Sequence, residues 1–235
     1  MASRQEEKER RRTERMAAEQ QARAAATRAR RLQIAGGAIL VLAVVVVAAI
    51  VASGSGGSSS NPGATKSQLA SVAIPKPGPN ATNLAAAAKA AGCVAKTYPM
   101  EGRTHTTSSV TYHTNPPTSG NHNPTPASDG VYSPGNEPAT ENYVHTLEHG
   151  RIEIQYRPGT PKGVRDQLET LFNEPNKGTA GYHELLFENN TSMPYAVAAT
   201  AWTHLLGCPQ MNDRVFDAIR AFRAAYTDKG PEFIP

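Results

Sequence analysis

Arg151-Ile-Glu-Ile-Gln-Tyr-Arg157 runs directly into Pro158-Gly159. Ile152, Ile154 and Tyr156 occupy alternate positions and so share one face of an extended segment, the period-two pattern of a strand. The Pro-Gly pair ends it. This strand decides the fold class, because the elements on either side take their places relative to it. Downstream, Thr160 to Phe172 reads as a helix with Thr160 as N-cap, Pro161 at its first position and an apolar face of Val164, Leu168, Leu171 and Phe172. Glu184 to Phe187 and Tyr195 to Trp202 read as strands separated by a turn around Asn189–Pro194. Asp213 to Tyr226 reads as a last helix with Val215, Phe216, Ile219 and Phe222 inward. The order strand, helix, strand, strand, helix predicts an α+β domain, a small mixed sheet with helices packed on it.

Upstream of the strand, Asn83 to Ala91 predicts a short helix ended by Gly92, and His105 to Tyr112 alternates as a strand should. The domain is therefore expected to span residues 83–235. Its two cysteines, Cys93 and Cys208, lie near its two ends. In an extracytoplasmic domain such a pair predicts a disulfide, with free thiols or metal ligation as the alternatives. There is no Cys-x-x-Cys to suggest a redox-active pair.

Residues 53–82 are rich in Gly, Ser and Pro and read as a linker. Before them, Leu32 to Ala52 is a 21-residue stretch without a charged side chain. At about 1.5 Å per residue a helix of that length spans the roughly 30 Å hydrocarbon core of a bilayer. Arg28, Arg30 and Arg31 stand before it, and no Lys or Arg follows until Lys66. The positive-inside rule then predicts a single-pass cell-membrane protein with a cytoplasmic N-terminus and an extracytoplasmic C-terminal domain. Residues 1–31 carry ten Lys/Arg and five Glu, with Glu6–Arg10, Glu7–Arg11 and Glu19–Arg23 spaced as i,i+4 pairs, and read as a solvated helical arm. The basic balance of the chain belongs to this arm; the rest carries fourteen Lys/Arg against fifteen Asp/Glu. No interleaved aromatics or reading motif accompany the basic residues, so no nucleic-acid partner is expected. The expected partners are the bilayer, through residues 32–52, and an extracytoplasmic ligand or protein.

Chemistry concentrates between Asn115 and Gly150. Five of the seven histidines lie between His105 and His149. If Asn142 to Gly150 is helical, His145 and His149 stand four apart on one face with Glu148 beside them, a spacing that lets two imidazoles meet one Zn²⁺ or Cu²⁺. The stiff loop Pro116-Pro117-Thr118-Ser119-Gly120 is placed to present His122 as a third ligand, or to act as a recognition loop in its own right. The expected metal set is His122, His145, His149 and Glu148. Three functions follow: a metal-binding domain, a metal-free cell-envelope interaction module, and a small metallohydrolase. The third draws on the spelling His145-Thr-Leu-Glu148-His149, the H-x-x-E-H pattern in which two His hold zinc and the Glu activates water, with a further ligand sought among Glu169, Glu174, Glu184 and Glu188. Against all three stands a structural use of the block: His122 bonded to the Thr118–Ser119 turn, His145 and His149 packed on the sheet, and Gly150 present because the helix-to-strand turn needs positive φ.

The run Val110-Thr-Tyr-His-Thr-Asn-Pro-Pro-Thr-Ser-Gly-Asn-His122, then Gly130-Val-Tyr132, then Val144-His-Thr-Leu-Glu-His-Gly150, resembles the signature of the bacterial domain of unknown function 3105 family. Ala201-Trp202, Cys208 and the terminal Gly230-Pro-Glu232 fit the same pattern, which covers about residues 90–233. The family is common in actinobacteria, often behind a single membrane anchor. The resemblance implies that Pro116, Pro117, Ser119, Gly120, His122, His145, Leu147, Glu148, His149 and Gly150 are its characteristic positions. It implies no activity.

Overall fold

The computed structural model describes residues 72–232 and residue 234. The expected arm, the apolar stretch 32–52 and the first part of the linker lie outside the described residues. Among those described, no helix is long and apolar enough to cross a membrane.

The strand expected over Arg151–Arg157 is β3 (Ile152–Tyr156), and it sits inside the main sheet. It pairs in parallel with β6 (Glu184–Glu188) and antiparallel with β7 (Val197–Ala201). Beyond β6 lies the two-residue edge strand β2 (Gly130–Val131), parallel to it. Beyond β7 lie β8 (His204–Cys208) and then β1 (Val94–Thr97), both antiparallel. The sheet order is β1-β8-β7-β3-β6-β2. A separate small hairpin pairs β4 (Pro175–Asn176) with β5 (Thr179–Ala180). The expected mixed α+β architecture is observed, with four helices among the described residues.

Three helices cover one face. These are α1 (Leu84–Ala91), α3 (Lys162–Phe172) and α4 (Asp213–Tyr226). Ala87, Ala88 and Ala91 of α1, Leu168, Leu171 and Phe172 of α3, and Val215, Phe216, Ile219 and Phe222 of α4 meet Ile152, Ile154, Tyr156, Leu186 and Leu206 in one buried cluster. Asn83 caps α1 by accepting from the Ala86 N–H, and Asn212 does the same for α4 from the Arg214 N–H. Thr160 does not cap α3. Its hydroxyl donates to the Arg157 carbonyl at 2.6 Å and closes the preceding turn, so the helix begins at Lys162.

The other face is buried as well. Alternation alone would leave Glu153 and Gln155 towards solvent, yet neither is exposed. α2 (Thr140–Glu148) and the long connection before it lie over them, with Tyr143, Val144 and Leu147 packed on Leu185, Phe187 and Trp202. The two polar side chains are accommodated by a closed network. Thr200 and Gln155 donate to Glu153 Oε2 at 2.8 and 3.0 Å, and Asn189 donates to Gln155 Oε1 at 2.7 Å. Burial holds the Glu153 carboxyl well above the usual carboxylate range.

Two expected elements are corrected. His105 to Tyr112 forms no strand; only an isolated bridge joins His105 to His122. The segment expected to run as one strand to Trp202 stops at Ala201 and turns back as β8. The disulfide Cys93–Cys208 is present, immediately before β1 and at the end of β8, and so ties the edge strand to its neighbour.

Candidate metal centre

α2 carries His145 and Glu148 one helical turn apart on the side that faces the long connection, while His122 arrives from that connection. The two segments are fastened together at several points. The Asn123 N–H donates to the Glu141 carbonyl, the Ala127 N–H to the Asn142 carbonyl, and the Val110 N–H to the Glu141 carboxylate. Thr104 and Thr106 flank His105 and exchange backbone hydrogen bonds with His122, which brings the two imidazoles together.

The result is a convergent group. His105, His122, His145 and Glu148 each offer one ligand atom, and these atoms all lie within 4.8 Å of one another. The ring centroids of His122 and His145 are 4.6 Å apart, those of His105 and His145 4.8 Å, and those of His105 and His122 5.1 Å. An ion bonded at about 2.1 Å in a tetrahedron holds its ligands roughly 3.4 Å apart, so the group closes on an ion with shifts on the order of an ångström. His122, His145 and Glu148 are buried and His105 is exposed, which leaves the group one open side.

The ring tautomers carry the chemical information. His122 Nδ1 lies 2.8 Å from the Gly120 carbonyl oxygen, and His145 Nδ1 lies 2.7 Å from the Asn123 carbonyl oxygen. A carbonyl only accepts, so both Nδ1 atoms carry hydrogen, and in the neutral rings both Nε2 atoms present lone pairs. Burial, with His122 and His105 nearby, lowers the His145 pKa and favours that neutral ring. His122 Nε2 comes within 3.0 Å of Glu148 Oε2, yet the atom is buried without a hydrogen-bond partner. An imidazole whose Nδ1–H is held by a backbone carbonyl and whose Nε2 is orphaned beside a carboxylate has the arrangement of a metal ligand with its supporting contact. Glu148 Oε1 lies 3.5 Å from Arg103 Nε at the open side.

His149 stands apart from this group. It caps the C-terminus of α2, and although its ring is 4.4 Å from that of His145, its Nε2 faces Glu232 at 3.7 Å. Burial, with His145 and Arg151 adding to it, pushes the His149 imidazole down to about 4. The H-x-x-E-H geometry is therefore not assembled. Among the further ligands sought for it, Glu174 is held by Arg220 and Glu184 by Arg223. His105, which spacing left unremarkable, takes the place expected of His149.

The expected recognition loop is also placed differently. Pro116, Pro117, Thr118, Ser119 and Gly120 are all buried. Ser119 accepts from the Glu101 N–H, the Thr118 carbonyl accepts from the Thr203 N–H, and the Gly120 carbonyl orients His122. The loop braces the cluster from within.

The end of the chain closes over the same helix. Gly150 has φ +77°, with its N–H bonded to the Leu147 carbonyl and the Arg151 N–H bonded to Thr146, a Schellman stop. The Glu232 N–H then donates to the Glu148 carbonyl at 3.0 Å.

Residues 103–233 match the family described as "Protein of unknown function (DUF3105)", and this is more than half of the chain. The chain belongs to the DUF3105 family. No curated protein matches it, and no solved structure does. The DUF3105 region takes in all four residues of the convergent group and the tail that seats on α2, while Cys93 and α1 lie outside it.

Proposed function

We propose that this protein binds a single transition-metal ion through His105, His122, His145 and Glu148, on a domain tethered to the outer face of a cell membrane. The observation that carries the metal reading is the pair of imidazoles whose Nδ1–H groups are committed to the Gly120 and Asn123 carbonyls, so that Nε2 is the nitrogen each ring has left for an ion, within a group whose ligand atoms lie within 4.8 Å of one another. Three imidazoles and one carboxylate suit Zn²⁺ first and Cu²⁺ next. The tether rests on the apolar stretch 32–52, the arginines before it and the linker after it. The disulfide agrees with an oxidising compartment.

The test is metal analysis of the full-length chain purified in detergent, stripped with chelator and reloaded with Zn²⁺ or Cu²⁺. The expected outcome is one equivalent of metal and a raised melting temperature, with His122→Ala and His145→Ala losing the equivalent and His149→Ala keeping it. No stoichiometric metal together with an unchanged melting temperature sinks the reading.

A second reading is favoured by one contact. If Arg103 keeps hold of Glu148, the three histidines hold the ion alone and Glu148 stands beside an open coordination position as a base, the arrangement of a small metallohydrolase. Glu148→Gln separates the two: weakened metal binding marks Glu148 as a ligand, whereas retained metal with loss of a detected hydrolysis marks it as a base.

A further inference from the structure

On the helix-covered face, remote from the histidines in the fold, a crevice of about 240 Å³ opens between β2, the start of α3 and the end of β3. β2, β6 and β3 run parallel, and Val131 and Tyr156 are the last residues of β2 and β3. The crevice therefore lies at the carboxyl ends of parallel strands, where open α/β sheets place their ligands. Val131, Pro134, Tyr156 and Leu186 make its apolar wall.

The opposite wall is the first two turns of α3, and its charges are unequally used. Lys162 and Asp166 satisfy each other at 2.8 Å. Arg165 and Glu169, also four apart and both half-buried, form no ion pair with each other, nor with any other charged group among the described residues. The Arg165 Nε atom is buried without a hydrogen-bond partner. Glu137, in the connection that continues from Pro134, likewise buries Oε2 without one. A buried guanidinium nitrogen left unpaired is costly, and so is a buried carboxylate oxygen. A simple anion would satisfy Arg165 but meet Glu169 and Glu137 with the same sign, and a simple cation would do the reverse. A molecule carrying both charges beside an apolar group satisfies both walls.

We propose that this crevice binds a small zwitterion with an apolar side group, of the class of free aliphatic or aromatic α-amino acids. The carboxylate lies on Arg165, the ammonium on Glu169, and the side group against the Tyr156–Leu186 wall.

The test is calorimetric titration of the full-length chain in nonionic detergent with L-leucine, and with two compounds that each lack one of its charges, 4-methylpentanoate and 3-methylbutylamine. Leucine is expected to bind saturably, and each control roughly tenfold more weakly or worse, as the loss of a charged hydrogen bond implies. Arg165→Gln is expected to weaken leucine by a similar factor while leaving 3-methylbutylamine unchanged. Glu169→Gln is expected to weaken leucine while leaving 4-methylpentanoate unchanged or improved. Arg165→Lys, which keeps the charge, should hold leucine within a few-fold of the parent, and unchanged melting temperatures show that the variants are folded. The proposal is overturned if either control binds as well as leucine, if no titrant binds at about 10 mM, a free energy of under roughly 3 kcal/mol, or if neither folded variant alters leucine binding.

Discussion

At the scale of single residues, two carboxylates in this domain have opposite roles. Glu148 sits among imidazoles and near Arg103, where its charge has partners. Glu153 is wholly buried, and its contacts are the hydroxyls of Thr146 and Thr200 and the amide of Gln155, with no cation among the described residues bonded to it. The Thr146 hydroxyl lies 2.7 Å from the Tyr143 carbonyl oxygen and 3.2 Å from Glu153 Oε1, and its one hydrogen is shared between these two acceptors. Burial raises the folded-state pKa of Glu153 above its ordinary 4.5, against the lowering effect of its hydrogen bonds to Thr200, Thr146 and Gln155. The stability this group contributes is complete below pH 4.5 and is lost as the pH rises towards and through the folded value. Glu153→Gln keeps the shape and removes the titration. It should raise the melting temperature at pH 8 by an amount on the order of 1 kcal/mol, a few degrees for a domain of this size, and change it little at pH 4. Thermal melts of both proteins across that range check the sign; equal differences at both pH values would show that Glu153 is ionised in the fold.

Residue identity made part of the site legible. Of the four residues that the clustering of histidines singled out, His122, His145 and Glu148 do converge. His149 does stand beside His145 as the spacing suggested, but its Nε2 faces Glu232 in the tail, a long-range contact that spacing cannot show. His105 could not be picked out, because its approach depends on a backbone bridge between two irregular segments seventeen residues apart, which leaves no periodic trace.

At the scale of elements, the readings that succeeded had both a period and a punctuation mark. Asp213–Tyr226 has an asparagine cap and an apolar stripe, and β3 has alternation and a Pro-Gly stop. β8 was hidden because the β7–β8 turn puts Thr203, a β-branched residue, at φ +65° where a glycine would have announced the reversal. β1 and β2 are short edge strands that gain their identity only from the neighbours they pair with. The end of α2 shows the reverse case, a glycine whose purpose the sequence did announce. A Cβ on Gly150 would come 2.8 Å from the Asp228 Cα, in addition to the strain of positive φ. Gly150→Ala is expected to cost more than about 1–2 kcal/mol, the left-handed penalty alone, and to weaken metal binding by displacing Glu148. Urea titration measures the first and metal titration the second. A variant as stable as the parent would mean that the tail moves aside freely.

At the scale of the whole molecule, the disulfide links positions 115 residues apart and fixes β1 onto the sheet. On the chain-entropy estimate, closing a loop of that size stabilises by about 4–5 kcal/mol. Replacing Cys93 and Cys208 together by Ala should therefore lower stability by a large fraction of what a domain of this size possesses, and the metal should recover part of it by mass action. Denaturant unfolding of the double variant with and without Zn²⁺ tests both statements. The membrane topology has its own test. Protease added to intact cells should cleave within residues 53–82 and release a fragment that keeps the disulfide, while an epitope placed at residue 1 stays protected. Protection of the linker would reverse the proposed orientation.

The C-terminal tail has a practical consequence. Its contacts with Glu148 and His149 lie only three residues from Pro235, through the Glu232 N–H and carboxylate. An oligohistidine handle fused there would bring a second set of imidazoles into reach of the candidate centre, able to capture the ion itself or to pry the tail from the helix. Metal stoichiometry and spectra from such a fusion would describe the handle as much as the protein. The opposite terminus, 231 residues before Glu232 in the sequence, is the place for any handle whose chemistry resembles that of the site.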